Sequence, residues 1–218
     1  MGRMDQLETE EPAPAAKLAL GSAVGADALA YRCLFILETR LERAVHEASE
    51  PIIAQLKLAW WRDRFADDPA NWPKGEPLLE ALASWGGHAE SLGKLVDGWE
   101  VLTSGEALSP ADIETFAQGR VSAWTALSRV VMSAVTGEDL RRVSIAAKAS
   151  ALADLKERGV DVAGYAASSA GRFAPLPRRL RPFSVLGALG HRALARDREV
   201  LDGFPALALA LRHGLLGR

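Results

Sequence analysis

Alanine and leucine supply most of the apolar positions in this chain, β-branched residues are sparse and scattered, and no Asn-Gly or Asp-Gly hairpin turn separates alternating apolar segments. A sheet needs period-two stretches rich in Val, Ile and Thr between tight turns, whereas helices are built from what is present here. The sequence therefore predicts an all-α fold, with helices at about 17–48, 51–66, 77–103, 110–136, 138–158, 181–199 and 204–216.

The punctuation has a physical basis. "SEP" offers Ser49 as an N-cap with Pro51 in the first turn, and "SPAD" repeats the device at Ser109 and Pro110, where a missing N–H costs nothing. Gly159 supplies a left-handed stop after "ALADLKER". "FADDPANWPKGEP" and "GRFAPLPRRLRPF" read as loops. With no internal repeat and no shift of composition, these loops connect parts of one bundle: residues 1–16 as a flexible acidic tail, residues 17–218 as a single helical domain.

A chain that is 49% hydrophobic and 25% charged is not disordered as a whole. Its net charge of −2 provides no polycation to neutralise a phosphate backbone, so nucleic-acid binding is not expected. Cys33 is the one cysteine, which excludes an intrachain disulfide and a multi-cysteine zinc site and suits a reducing compartment. The acidic, Pro/Ala-rich opening lacks the apolar stretch of a secretory signal, and charge interrupts every apolar run before the roughly 18 residues of a membrane span. A cytoplasmic location is expected, with peripheral contact to the inner membrane as the variant. No Ser/His/Asp arrangement or glycine-rich phosphate loop appears, and His46 and His88 have no partner at ligand spacing.

Carboxylates fall beside an apolar stripe. At 100° per residue, Leu41 and Val45 lie within about 20° of Leu34, with Glu38 near 40° and Glu42 near 80°. A carboxylate so placed must be paired, solvated by a cavity or bound to a metal. Glu38 and Glu42 on successive turns could offer oxygens to a magnesium ion bridging a diphosphate, or bond Arg40, Arg43 or an arginine of another helix. In the second helix, which contains "LKLAWWRDRF", Ile52, Leu56, Ala59 and Asp63 share a side, and the adjacent Trp60 and Trp61, about 100° apart, can wedge two neighbouring helices. Between Asp161 and Asp197 there is no acid, while Arg172, Arg178, Arg179, Arg181, Arg192 and Arg196 accumulate beside His191. That asymmetry suits a diphosphate, an anionic membrane surface, an acidic partner protein or a solvated face. The last segment, "FPALALALRHGLLGR", could dock on the bundle or lie in a membrane interface.

"LFILETRLERAVHEASEPIIAQLKLAWWRDRF" resembles the early region of the squalene/phytoene synthase family, above all its bacterial branch with a pattern close to "IRLAWWRD". Trp60, Trp61 and Asp63 stand on that pattern as family-motif packing residues, with Lys57 where arginine is usual, and "LPRRLRPFSVLGALGHRALAR" resembles the end of the same branch. The likeness runs over about residues 25–200 and extends to a mitochondrial respiratory complex I assembly factor of that branch. It implies an isoprenoid-synthase-like bundle around a cavity, in which catalytic members use two aspartate-rich motifs to hold magnesium and ionise isoprenoid diphosphates for head-to-head joining. Here the first motif falls on Glu38 and Glu42, and the second overlays "ADLKERGVD", with Glu157 and Asp161 at the acidic positions and Ala153 in place of asparagine. If active, Glu38, Glu42, Glu157 and Asp161 would be the metal set, with Lys57, Arg62 and Arg120 on the diphosphate. The departures point instead to a pseudoenzyme that keeps the bundle for an isoprenoid, a lipid or a protein partner; a peripheral membrane scaffold is the third expectation.

Overall fold

The computed structural model describes residues 7, 9–166 and 174–217. Among them there are helices and no strands, as the composition requires. The α-helices are α1 (Pro14–Leu20), α2 (Ala28–His46), α3 (Pro51–Ala66), α4 (Pro77–Leu82), α5 (Leu92–Glu100), α6 (Pro110–Val131), α7 (Gly137–Glu157), α8 (Arg181–Arg196) and α9 (Gly203–Leu211), with a further helical turn at Ala163–Ala166. No helix among the described residues is long and apolar enough to cross a membrane.

Two of the expected helices are broken. The span 17–48 divides into α1 and α2 around a 3₁₀ turn at Gly25–Asp27. The span 77–103 divides at Gly86, whose φ of 55° and ψ of −139° no α-helix tolerates. At α3 the N-cap is Glu50 rather than Ser49, with Pro51 in the first turn as expected. Ser109 does cap α6, in a reciprocal box in which its hydroxyl accepts from the Asp112 N–H and Asp112 accepts from the Ser109 N–H. Gly159, at φ 81°, ends α7; the Val160 N–H reaches the Leu155 carbonyl at 3.0 Å and the Gly159 N–H the Lys156 carbonyl at 2.9 Å.

The helices pack in a chain of neighbours, α3 on α5, α5 on α6, α6 on α7 and α7 on α8, with α2 laid across α3 to α6. Glycines set the closest approaches. A Cβ on Gly190 of α8 would sit 2.7 Å from the Ala149 carbonyl oxygen of α7, and one on Gly119 of α6 would sit 2.5 Å from that of Lys94. An aromatic cluster fills the space behind α2: Trp124 stacks on Phe183 at 4.2 Å, and Tyr31 meets Phe183 edge-on at 5.1 Å while its hydroxyl donates to the Arg179 carbonyl. Cys33 of α2 is buried, and desolvation pushes its thiol up to about 12, so no thiolate forms at neutral pH.

The amino-terminal segment departs from the expected flexible tail over its described part. Leu7 is buried, the Arg32 guanidinium donates to the carbonyls of Leu7 and Glu10, and the Glu10 carboxylate pairs with Arg40. Sequence pattern could not show this, because the partners lie about one helix away on α2.

Candidate functional site

A cavity of about 400 Å³ opens where α1, α2, α6, α7 and α8 converge. One wall is apolar, with Phe35, Leu186 and Val200, and the close approach at Gly190 brings α8 over it. The other wall is ionic. Glu38 and Glu42 project from successive turns of α2, Arg120 from α6, Asp154 from the last turn of α7 and Arg158 from its C-cap.

These five side chains form one ladder. Arg120, 6% exposed, donates from Nε to Glu38 at 3.1 Å and from Nη2 to Asp154 at 2.9 Å. Arg158 donates from Nε to the other Asp154 oxygen at 3.0 Å and from Nη2 to Glu42 at 2.6 Å. Its Nη1 also meets His46 Nε2, one turn beyond Glu42, and its guanidinium lies 5.0 Å from the centre of the buried Trp99 ring. Glu38, Glu42 and His46 are thus bound by arginines from two other helices, the geometry of fork-shaped donors on carboxylates.

Burial raises the Glu38 pKa, with Asp154 and Glu42 adding repulsion; Arg120 pulls it back without cancelling the rise. Burial works against the charge on Arg120 too, yet Glu38 and Asp154 outweigh it and hold its pKa above the ordinary arginine value. Three carboxylates face two guanidiniums, so the cluster carries at most one excess negative charge.

The expected metal set is only partly gathered. Glu38 and Glu42 face the cavity. Glu157 reaches its rim but accepts the Val200 N–H at 2.6 Å. Asp161 does not join them: it is exposed beyond the Gly159 stop and accepts the Ala163 N–H at 3.0 Å. Among the described residues no group of three or more His, Cys, Asp or Glu could hold a metal ion. The donor set therefore does not fit magnesium, since every carboxylate turned to the cavity from α2, and Asp154 opposite, already has a guanidinium.

The diphosphate candidates separate in the same way. Arg120 is inside the ladder. Arg62 pairs with Asp97 at 2.7 Å and with Glu100 on α5, and those acids outweigh partial burial to raise its pKa. Lys57 lies on the outer face of α3, in a groove with Arg43 and Trp60. Asp63 is exposed.

The two tryptophans do not both wedge neighbouring helices. The buried stripe of α3 is Ala54, Leu58, Trp61 and Phe65, and Trp61 stacks on Phe65 at 5.8 Å. Trp60 is 40% exposed and packs edge-on against Trp61. The side shared by Ile52 and Leu56 faces outward, at 52% and 61% exposure.

Comparison of the chain with protein-family models, curated proteins and solved structures gave no match. Sequence reasoning missed Asp154 and Arg158. The available signal was their i, i+4 spacing just before the Gly159 stop, which stacks them on one face of α7 as Glu38 and Glu42 stack on α2.

Proposed function

We propose that this protein is a diverged, non-catalytic member of the squalene/phytoene synthase family that holds one neutral isoprenoid or similar lipid in its cavity, in the service of a partner protein. The observation that carries this reading is the arginine ladder: Arg120 and Arg158 occupy the carboxylates that a catalytic member would commit to metal. Each of Glu38, Glu42 and Asp154 is already bonded to a guanidinium, which leaves at most one unbalanced negative charge to attract a cation that would act as a Lewis acid on a leaving diphosphate. With no spare positive charge, the ionic wall repels a diphosphate and tolerates a hydroxyl or carbonyl head group.

The cavity supports the same reading by size. At about 400 Å³ it lies at the small end of ligand sites, roughly 300–1,000 Å³, and accepts one chain where head-to-head joining requires two. Its apolar wall and ionic wall suit an amphiphile. The outward row of Ile52, Leu56 and Trp60 gives α3 an apolar surface for a protein partner, which supports the assembly-factor version. The site of action in this reading is the cytoplasm or the periphery of a membrane.

The alternative, an active magnesium-dependent prenyltransferase, draws on Glu38 and Glu42 sharing one cavity, and requires Arg120 and Arg158 to leave them. Fluorescence titration with farnesol and with farnesyl diphosphate, with and without magnesium, separates the two. The proposal expects the alcohol to bind without magnesium, and the Ser150→Phe variant, which fills the cavity from α7, to lose it. Magnesium-dependent binding of the diphosphate in preference to the alcohol would refute it.

A further inference from the structure

A second site lies on the far side of α8, in the cleft of about 1,240 Å³ between α8 and α9. It shares no lining residue with the cavity, so it stands or falls independently of the function proposed above. Its polar lining is Arg192, Arg196, His191, Arg212 and His213, and among the described residues no carboxylate lines it. Burial and the adjacent Arg212 push the His213 imidazole down to about 4, so His213 adds no charge at neutral pH, and the three arginines make the cleft positive.

Arg192 distinguishes this cleft from a solvated basic face. Its side chain is 10% exposed, and both Nε and Nη1 are buried without a hydrogen-bond partner. Only Nη2 is engaged, with the Asp202 carbonyl at 3.4 Å and the Asp202 carboxylate at 3.7 Å, an acid that also stands 3.8 Å from Arg198. His191 Nε2, one residue away, is buried and unpartnered too. Buried N–H groups on a guanidinium are rarely left without an acceptor, because each gives up water without replacement. Arg196 and Arg212 are exposed at the same cleft and make no ion pair among the described residues. Elsewhere in the arginine-rich region Arg179 pairs with Asp27, Arg181 donates to the carbonyls of Gly214 and Leu215, Arg178 is exposed away from this lining, and Arg172 lies outside the described residues.

We infer that the α8–α9 cleft binds a phosphate-bearing ligand, with Arg192 as the fixed fork and Arg196 and Arg212 closing on the outer oxygens. A phosphate offers several acceptor oxygens to planar donors, which is the complement this set of N–H groups lacks. Beside the cleft, α9 exposes Phe204, Leu207 and Leu211 at 79%, 40% and 51% along one side, so the phosphate can belong to a lipid head group at a membrane surface or to a free molecule.

The test uses the full chain. Calorimetric titration with inorganic pyrophosphate at constant ionic strength is run beside flotation with phosphatidylcholine vesicles, with and without phosphatidic acid. Arg192→Gln is compared with Arg196→Gln/Arg212→Gln, whose exposed positions leave folding intact. The expected result is phosphate binding that falls about tenfold or more in both variants, as loss of a charge-assisted hydrogen bond implies. If the source is lipid, Phe204→Ser/Leu211→Ser loses phosphatidic acid vesicles and keeps pyrophosphate; if it is a free phosphate, pyrophosphate binds and the vesicles do not float the protein. No binding of either probe above a chloride control, or binding equal in wild type and Arg196→Gln/Arg212→Gln, would overturn the inference.

Discussion

Arg120 shows why a buried ion pair is better read through its loss than its presence. Removing a guanidinium from water is costly, and replacing a whole buried pair by apolar groups is often neutral, but removing one partner strands the other. Arg158 still serves Asp154, so Glu38 is the group stranded when Arg120 is lost. Arg120→Met should therefore cost about 3–5 kcal/mol in urea unfolding, and Arg120→Met/Glu38→Leu should recover more than half of it. A double variant no more stable than the single one would show that the clamp is not what the site depends on. The raised pKa of Glu38 adds a pH signature. The folded state holds that proton more tightly than the unfolded chain, so the stabilisation is complete below the ordinary glutamate value and is lost as pH rises through the raised one. Relative to Glu38→Gln, the wild type should lose stability as pH increases above about 4.3. The carboxylates with lowered pKa, such as Glu138 held to about 2 by Arg141 and Arg142, act in the opposite direction and at lower pH, so the two effects separate.

Among the elements, α8 is the one on which both sites depend, since it supplies Leu186 and Gly190 to the cavity and Arg192 to the outer cleft. Gly190 lets it lie against α7. In an isolated helix alanine would be favoured over glycine by about 1 kcal/mol. Here the new Cβ would meet Ala149 backbone atoms at 2.7 and 2.8 Å, which cannot swing aside as a side chain would. Overpacking should win: Gly190→Ala is expected to destabilise by about 1–3 kcal/mol net in chemical denaturation and to weaken ligand binding in the cavity. An unchanged or raised midpoint would mean that α8 has room to move off α7. The elements also show what local sequence encodes. The Ser109 cap and the Gly159 stop were legible because capping and left-handed φ are decided within a few residues. The breaks at Gly21–Asp27 and Gly86, and the turning outward of the Ile52 and Leu56 side of α3, were not, because they are settled by which neighbour each helix meets.

At the scale of the whole molecule, the all-α architecture was fully legible, since no strand-forming pattern competes with the helical one. Half of the site was legible as well. Glu38 and Glu42 were singled out by their place beside the apolar stripe, and an arginine from another helix was one of their expected partners. That the partners are Arg120 and Arg158 depends on the angles at which α6 and α7 cross α2, which one-dimensional spacing does not contain. Asp161 was misplaced for a local reason: the glycine that ends α7 carries it away from the face that Asp154 occupies. If, as proposed, Arg120 and Arg158 stand where a catalytic member of the family would hold metal, the protein has no synthase activity. Mass spectrometry of the products formed when the protein is incubated with magnesium and farnesyl or geranylgeranyl diphosphate, beside a Glu38→Ala control and an active synthase, decides it. No coupled C30 or C40 product is expected from the wild type. A coupled product that disappears in Glu38→Ala would contradict it and make Glu38 a working metal ligand.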